Sequence, residues 1–187
     1  SGPLVVGVPE KLGINTYREL VAHARKNDIN MGSYAPGSYP QMVADQTNRS
    51  EGTKIVTVNY KGESPMWIDV ASGQIQVAIG SFQAFNTVAS RGVKAIGVTG
   101  SYRSPKLREV PTLVEQGVPG RLVQLEGGLP LMAPAGTPEA VLRALSQVVV
   151  EGANTARAAA LRETFAIPNK PKNLDETRAD WARDVPV

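Results

Sequence analysis

Apolar positions along this chain switch repeatedly between a spacing of two and a spacing of three to four, which marks strands alternating with helices. Thr16-Tyr17-Arg18-Glu19 reads as a capping box, and Leu20, Val21 and Ala24 supply the apolar stripe of a helix ending near Asn27-Asp28. Ile29 to Tyr34 reads as a strand, followed by the turn Ala35-Pro36-Gly37. Ser38 then opens a helix that runs to about Arg49, with Gln41 three residues on as in a capping box. Lys54 to Asn59 alternates as a strand should, and Ser64-Pro65 starts a helix closed by Ser72-Gly73. Ile75, Val77 and Ile79 alternate again. A helix from Phe82 to Ser90, stopped by Gly92, and a strand from Lys94 to Thr99 follow.

Strands separated by helices of this length imply βαβ units, and so a parallel sheet covered by helices on both faces. After Thr99 the rhythm loosens. Thr112 and Glu115 cap a short helix ending at Gly117, and Arg121 to Glu126 and Leu129 to Ala133 read as extended segments around Gly127-Gly128. Thr137-Pro138 begins a helix to about Glu151, with Val141, Leu142, Leu145, Val148 and Val149 on one side. Further helices are predicted from Thr155 to Phe165 and from Asp175 to Asp184. The expected organisation is an α/β lobe over residues 1–126 and a mainly helical segment over 127–187, with no internal repeat.

Composition narrows the function classes. At 187 residues with 42% hydrophobic and 20% charged residues, the chain has the balance of a globular protein. Aromatics make up 5%, too few for a base-stacking surface, and the net charge of +3 comes from scattered residues. The densest basic stretch, Lys94 to Arg108, reads as a solvated face, so no nucleic-acid partner is expected. No apolar run reaches the length of a membrane-spanning helix, and Ser1-Gly2-Pro3 does not have the form of a leader peptide.

The residues for familiar catalytic chemistry are missing from this sequence. It has no cysteine and one histidine, His23, which rules out thiol catalysis and zinc sites built on cysteines or a histidine pair. No serine sits in a G-x-S-x-G frame and no dinucleotide fingerprint occurs. Gly32 to Ser38 has the glycine spacing of a phosphate loop, but Ser38 stands where the lysine belongs. No metal site and no cofactor are expected.

One constellation remains, Gly32-Ser33-Tyr34-Ala35-Pro36-Gly37-Ser38, between a strand end and a helix start. At the carboxyl end of a strand in an α/β sheet, such a turn lies where ligands bind. The helix after Ser38 would present free N–H groups and a partial positive charge. Gly37 would allow close approach to the backbone, and the Ser33 and Ser38 hydroxyls could donate. The same residues also suit a plain N-cap and turn, and on chemistry alone both readings stand.

The turn resembles the stretch Y-x-S-x-G-x-G-S-x-x-H-L of the Bug-type solute receptors, the binding proteins of tripartite tricarboxylate transporters. Val58-Asn59-Tyr60-Lys61-Gly62-Glu63-Ser64-Pro65, running on to Asp69, is similar to the family's V-P-Y-K-G-x-x-P. Arg103-Ser104 and Val110 to Gly117 resemble R-x-P-x-x-P-D-V-P-T-x-x-E-x-G, and Ala133-Pro134-Ala135-Gly136-Thr137-Pro138 is similar to the A-P-A-G-T-P before the family's late helix. Pro3 to Val6 fits the opening of its second lobe. Ala35 replaces the usual Gly, Gln41 the His and Asn59 the Pro, so the ligand class does not carry over.

The resemblance implies a periplasmic-binding-protein-like fold of the two-lobed, Venus-flytrap kind. Residues 1–126 would be the second, ligand-binding lobe, and 127–187 the return toward an incomplete first lobe. The Pro-Gly-Gly turn that members carry earlier has no match here, so a fragment or a shortened member is expected. The implied role is a periplasmic receptor, not an enzyme, that holds a small carboxylate for the membrane subunits of a transporter. Its candidate contacts are Ser33, Tyr34, Ala35, Gly37 and Ser38, then Tyr60 and Lys61, then Gly80 and Ser81, with Asp69 a possible partner for an amine. The rivals are an enzyme on the same scaffold that uses Lys61, as a transferase would, and a sensor lobe that binds nothing.

Overall fold

A computed structural model describes residues 2–128 and 130–184. These fall into two compact units, residues 2–127 and residues from 128 onward. The first unit holds a five-stranded sheet built from β1 (Val5–Pro9), β2 (Asn30–Ser33), β3 (Val56–Asn59), β4 (Val77–Gly80) and β5 (Val93–Val98), in the order β3-β2-β4-β1-β5. Helices α1 (Tyr17–Ala24), α2 (Tyr39–Glu51), α3 (Glu63–Ser72) and α4 (Phe82–Asn86) connect the strands. The second unit carries α5 (Glu139–Gly152), α6 (Ala156–Thr164) and α7 (Leu174–Asp184).

Alternation along the strands divides the core. Val6, Val8, Met31, Val77 and Ile79 pack with Tyr17 and Leu20 of α1 and Val43 of α2, while Val5 and Ala78 pack with Met66, Trp67 and Val70 of α3 and Phe85 of α4. Successive side chains of a strand point to opposite faces, so α1 and α2 cover one face of the sheet and α3 and α4 the other.

The sheet contains the parallel strands expected from the sequence, flanked by helices, and is mixed. β2 runs parallel to β3 and β4, but β1 lies antiparallel between β4 and β5, with Val5 opposite both Gly80 and Val98. All five residues of β1 are buried, and a fully buried apolar run carries no signal of its direction. The result still places the carboxyl ends of β2, β3, β4 and β5 along one edge of the sheet.

Other expectations shift locally. Leu122–Gln124 is a 3-10 turn rather than an extended segment, because its apolar residues seat Val123 in the core instead of pairing in the sheet. Residues 130–133 form no strand, and Leu129 and residues 185–187 lie outside the described residues. The Thr112–Glu115 box forms as read, with Glu115 N–H donating to Thr112 Oγ1 at 2.9 Å and Thr112 N–H to the Glu115 carboxylate at 2.7 Å, but it closes a hydrogen-bonded turn, not a helix. α1 ends at Ala24 and α4 at Asn86, earlier than the periodicity suggests.

Gly7 on β1 is a packing requirement. A β-carbon there would lie 2.7 Å from Cζ3 and 3.0 Å from Cη2 of Trp67, a rigid ring with no room to yield. Gly7→Ala is expected to destabilise the chain by about 1–3 kcal/mol through overpacking, read as a lower urea midpoint with an unchanged slope.

Candidate functional site

The register of the sheet brings the sequence-predicted residues together. Ser33 pairs with Asn59 on β3, the Tyr60 N–H donates to the Ser33 carbonyl at 2.7 Å, and Gly32 lies opposite Ala78 on β4. Tyr34 and Tyr60 therefore follow the ends of β2 and β3, and Gly80 ends β4, on three adjacent parallel strands about 5 Å apart from strand to strand. Ala35 and Gly37 are exposed, Tyr34, Ser38, Tyr60 and Ser81 are half-buried, and Ser33 and Gly80 are buried. Lys61 is exposed on the same edge.

The Ser33–Ser38 turn is tied to itself. Ser33 Oγ donates to the Ala35 carbonyl at 2.8 Å, and since that uses its one proton, Ser38 Oγ donates to Ser33 Oγ at 2.7 Å. Ser38 consequently does not act as the side-chain cap of α2, and Gln41 reaches back instead to accept from the Gly37 N–H at 2.8 Å. Gly37 sits at a φ of +71°, the left-handed conformation that glycine tolerates. The start of α2, a helix of 13 residues, thus keeps its partial positive charge without a capping side chain among the described residues.

The neighbouring strand ends carry two carboxylates. Tyr60 Oη donates to Asp69 Oδ2 at 2.7 Å, linking the end of β3 to α3. Glu63 Oε2, on the first turn of α3, accepts from both the Ser81 N–H at 2.9 Å and the Ser81 hydroxyl at 2.7 Å. In the sequence Glu63 stands only as one residue of the Val58–Pro65 motif. Its position just after the Gly62 turn, at the end of β3, was the signal that it faces this edge. Trp67 Nε1, one helical turn further along α3, is buried with no hydrogen-bond partner.

Several tyrosines of the first unit share a direction of titration. Burial pushes up the phenols of Tyr17, Tyr34 and Tyr39, and the Glu63 carboxylate adds to the effect on Tyr34. Tyr60 is pushed up to about 12 by burial and then by its bond to Asp69. A raised phenol favours the neutral form in the folded state. The associated stability is complete below the ordinary value of 10.0 and is lost as pH rises through the folded values. Urea midpoints are therefore expected to fall between pH 10 and about 12, in step with rising tyrosinate absorbance.

A cavity of about 330 Å³ opens elsewhere, between α1, α2 and residues 117–119, lined by Tyr17, Arg18, Arg25, Gln46 and Thr47 among others. None of the strand-edge candidates lines it, and its polar walls are in part already paired, Arg25 with Glu51 at 2.6 Å and Gln46 with the Pro119 carbonyl at 2.9 Å. His23 is half-buried on α1 beside Asn27, and no cluster of metal-ligating side chains occurs among the described residues.

The sequence model of the family described as "Tripartite tricarboxylate transporter family receptor" matches residues 1–174. The chain belongs to this family. It is 26% identical over 189 residues to Protein BugT of Bordetella pertussis, covering 98% of this chain and 56% of that protein. It is 32% identical over 149 residues to a UPF0065 protein in the tcbD-tcbE intergenic region of a Pseudomonas species, covering 77% of this chain and 44% of that one. The chain thus spans about half the length of the curated relatives it matches.

Solved structures share the fold. The periplasmic binding protein BugD superposes with a TM-score of 0.81 at 24% identity, and R. palustris Rpa4515 with adipate with 0.81 at 23%; each match covers 98% of this chain and 62% of the other. MatC (Rpa3494) from Rhodopseudomonas palustris with bound malate superposes with 0.79 at 18%, covering 98% and 63%. The α/β architecture expected from the sequence is the fold of these receptors.

Proposed function

We propose that this chain is the ligand-contacting part of a periplasmic receptor that captures a small carboxylate and delivers it to the membrane subunits of a tripartite transporter. The observation that carries the reading is the convergence of Ser33–Ser38, Tyr60 and Ser81 at the carboxyl ends of three adjacent parallel strands, beside the uncapped start of α2. A carboxylate placed there meets backbone N–H groups and a favourable helix dipole. Family membership and the adipate and malate held by Rpa4515 and MatC support the same ligand class. Ser33, Tyr34, Ala35, Gly37 and Ser38 would form the main cradle, with Tyr60, Lys61, Gly80 and Ser81 along its rim.

In this reading residues 1–126 are the second lobe of a two-lobed receptor and 127–187 its return segment. Ligand contacts favour the closed state, and no bond is made or broken. Calorimetry of di- and tricarboxylates, hydroxy acids and amino acids against the full-length protein tests it. Saturable binding without turnover is the expected result, and no binding by any carboxylate would overturn the proposal.

A further inference from the structure

The cavity between α1, α2 and residues 117–119 has walls that are tied to one another. Thr47 uses its own proton on the Val43 carbonyl at 2.8 Å, so Tyr17 Oη donates to Thr47 Oγ1 at 2.7 Å and joins α1 to α2. The Tyr17 N–H donates to Gln116 Oε1 at 2.8 Å, and Gln46 Nε2 donates to the Pro119 carbonyl at 2.9 Å, joining both helices to the third wall. Walls fixed in this way keep the space open before any ligand arrives. Its volume of about 330 Å³ lies at the small end of the range of ligand pockets, about 300–1,000 Å³.

The floor offers an anion nothing. Val21, Val43 and Val123 are buried there, and the buried Tyr17 and Thr47 have both committed their hydroxyl protons. A carboxylate pushed onto this floor would lose its water without gaining a donor. The charge sits at the rim instead. Arg25 is already neutralised, its guanidinium holding the Glu51 carboxylate at 2.6 Å and the Glu51 carbonyl at 2.9 Å. Arg18 is exposed and takes part in no hydrogen bond or ion pair among the described residues. Its guanidinium lies along the third wall at Gly117, where a β-carbon would come within 2.7 Å of Nη2.

An apolar floor with one uncommitted guanidinium at its rim is the complement of an apolar body that carries a single carboxylate. A second carboxylate would find no second free cation on these walls and would face Glu51. We propose that this cavity is a second binding site, which takes a small monocarboxylate with an aromatic or short aliphatic body, held through Arg18. None of the strand-edge cradle residues lines it, so the two sites can be tested one at a time.

The test uses the full-length Ser38→Asp protein, in which the cradle is expected to be closed to carboxylates. Benzoate and hexanoate are the probes, and the NMR methyl shifts of Val21, Val43, Val118 and Val123 are the readout. Both probes are expected to shift these methyls saturably, with a Kd on the order of 1 mM or tighter for ligands of this size. In the same background Arg18→Gln is expected to weaken binding at least about tenfold, and Arg18→Lys to recover part of the loss. Ala22→Trp, at an exposed position on the cavity wall, is expected to fill the space and abolish binding. Circular dichroism melts check that each variant is folded. Neutral benzamide is expected to bind at least about tenfold more weakly than benzoate, and the dianion adipate more weakly than hexanoate.

Absence of methyl shifts at about 10 mM probe, tenfold above the expected Kd, would overturn the site. So would equal binding of benzamide and benzoate, or binding unchanged by Arg18→Gln. Shifts seen in the wild type but lost in Ser38→Asp would show that carboxylates bind at the cradle alone, overturning this site and leaving the receptor reading intact. Benzoate bound here, with no carboxylate bound at the cradle of the wild type, would overturn the receptor reading and leave this site standing.

Discussion

Replacing Ser38 with aspartate is expected to abolish carboxylate binding while leaving the fold as stable as before. Ser38 is half-buried at the start of α2, where its hydroxyl is turned to Ser33 and caps nothing. An aspartate at this position suits an N-cap, a role the Ser38 side chain does not fill, and would favour the helix dipole, so α2 has no reason to weaken. The same carboxylate would stand where the ligand's must lie. At about 4 Å and an effective dielectric of 20 two such charges repel by about 4 kcal/mol, roughly a thousandfold in affinity. Calorimetry on the full-length Ser38→Asp protein should therefore show no saturable binding, with a thermal midpoint at or above that of the wild type. Unchanged affinity would place the ligand away from α2.

That separation of binding from folding was only partly legible in the sequence. The strand–helix alternation was, because each strand exposes different residues to two different helical layers and so repeats with a period of two. The turn after β2 was legible too, since glycine, proline and two serines are unusual together outside a turn. Which hydroxyl does what was not. Ser38 reads as a cap by spacing, but the turn folds back so that Ser33 takes its proton, and spacing alone does not show how a turn folds back. The partnership of Glu63 with Ser81 was hidden for a related reason. It joins the start of α3 to the residue after β4, 18 positions apart in sequence, and these meet only once α3 packs against β4. The direction of β1 and the 3-10 turn at Leu122–Gln124 escaped because buried apolar residues look the same in either direction and in either conformation.

Trp67→Ala is expected to give the largest loss of stability, about 3–5 kcal/mol, against the roughly 5–15 kcal/mol that holds a typical domain together. Trp67 is fully buried on α3, packed edge-on against Phe85 with ring centroids 5.6 Å apart and an interplanar angle of 72°, and pressed onto Gly7 of β1. Its removal leaves a cavity between the sheet and the helix that carries both Glu63 and Asp69. The urea midpoint should fall with an unchanged slope, followed by circular dichroism because the remaining tryptophan, Trp181, is 55% exposed and a poor reporter of this core. Gly7 supplies the control. In the wild type a methyl at Gly7 collides with the indole, whereas in Trp67→Ala the same methyl enters the vacated space. The two substitutions should therefore cost less together than the sum of their separate costs, with a coupling of about 1 kcal/mol or more. Strict additivity would mean that the indole and β1 do not press on one another, and that α3 is held in place by other contacts.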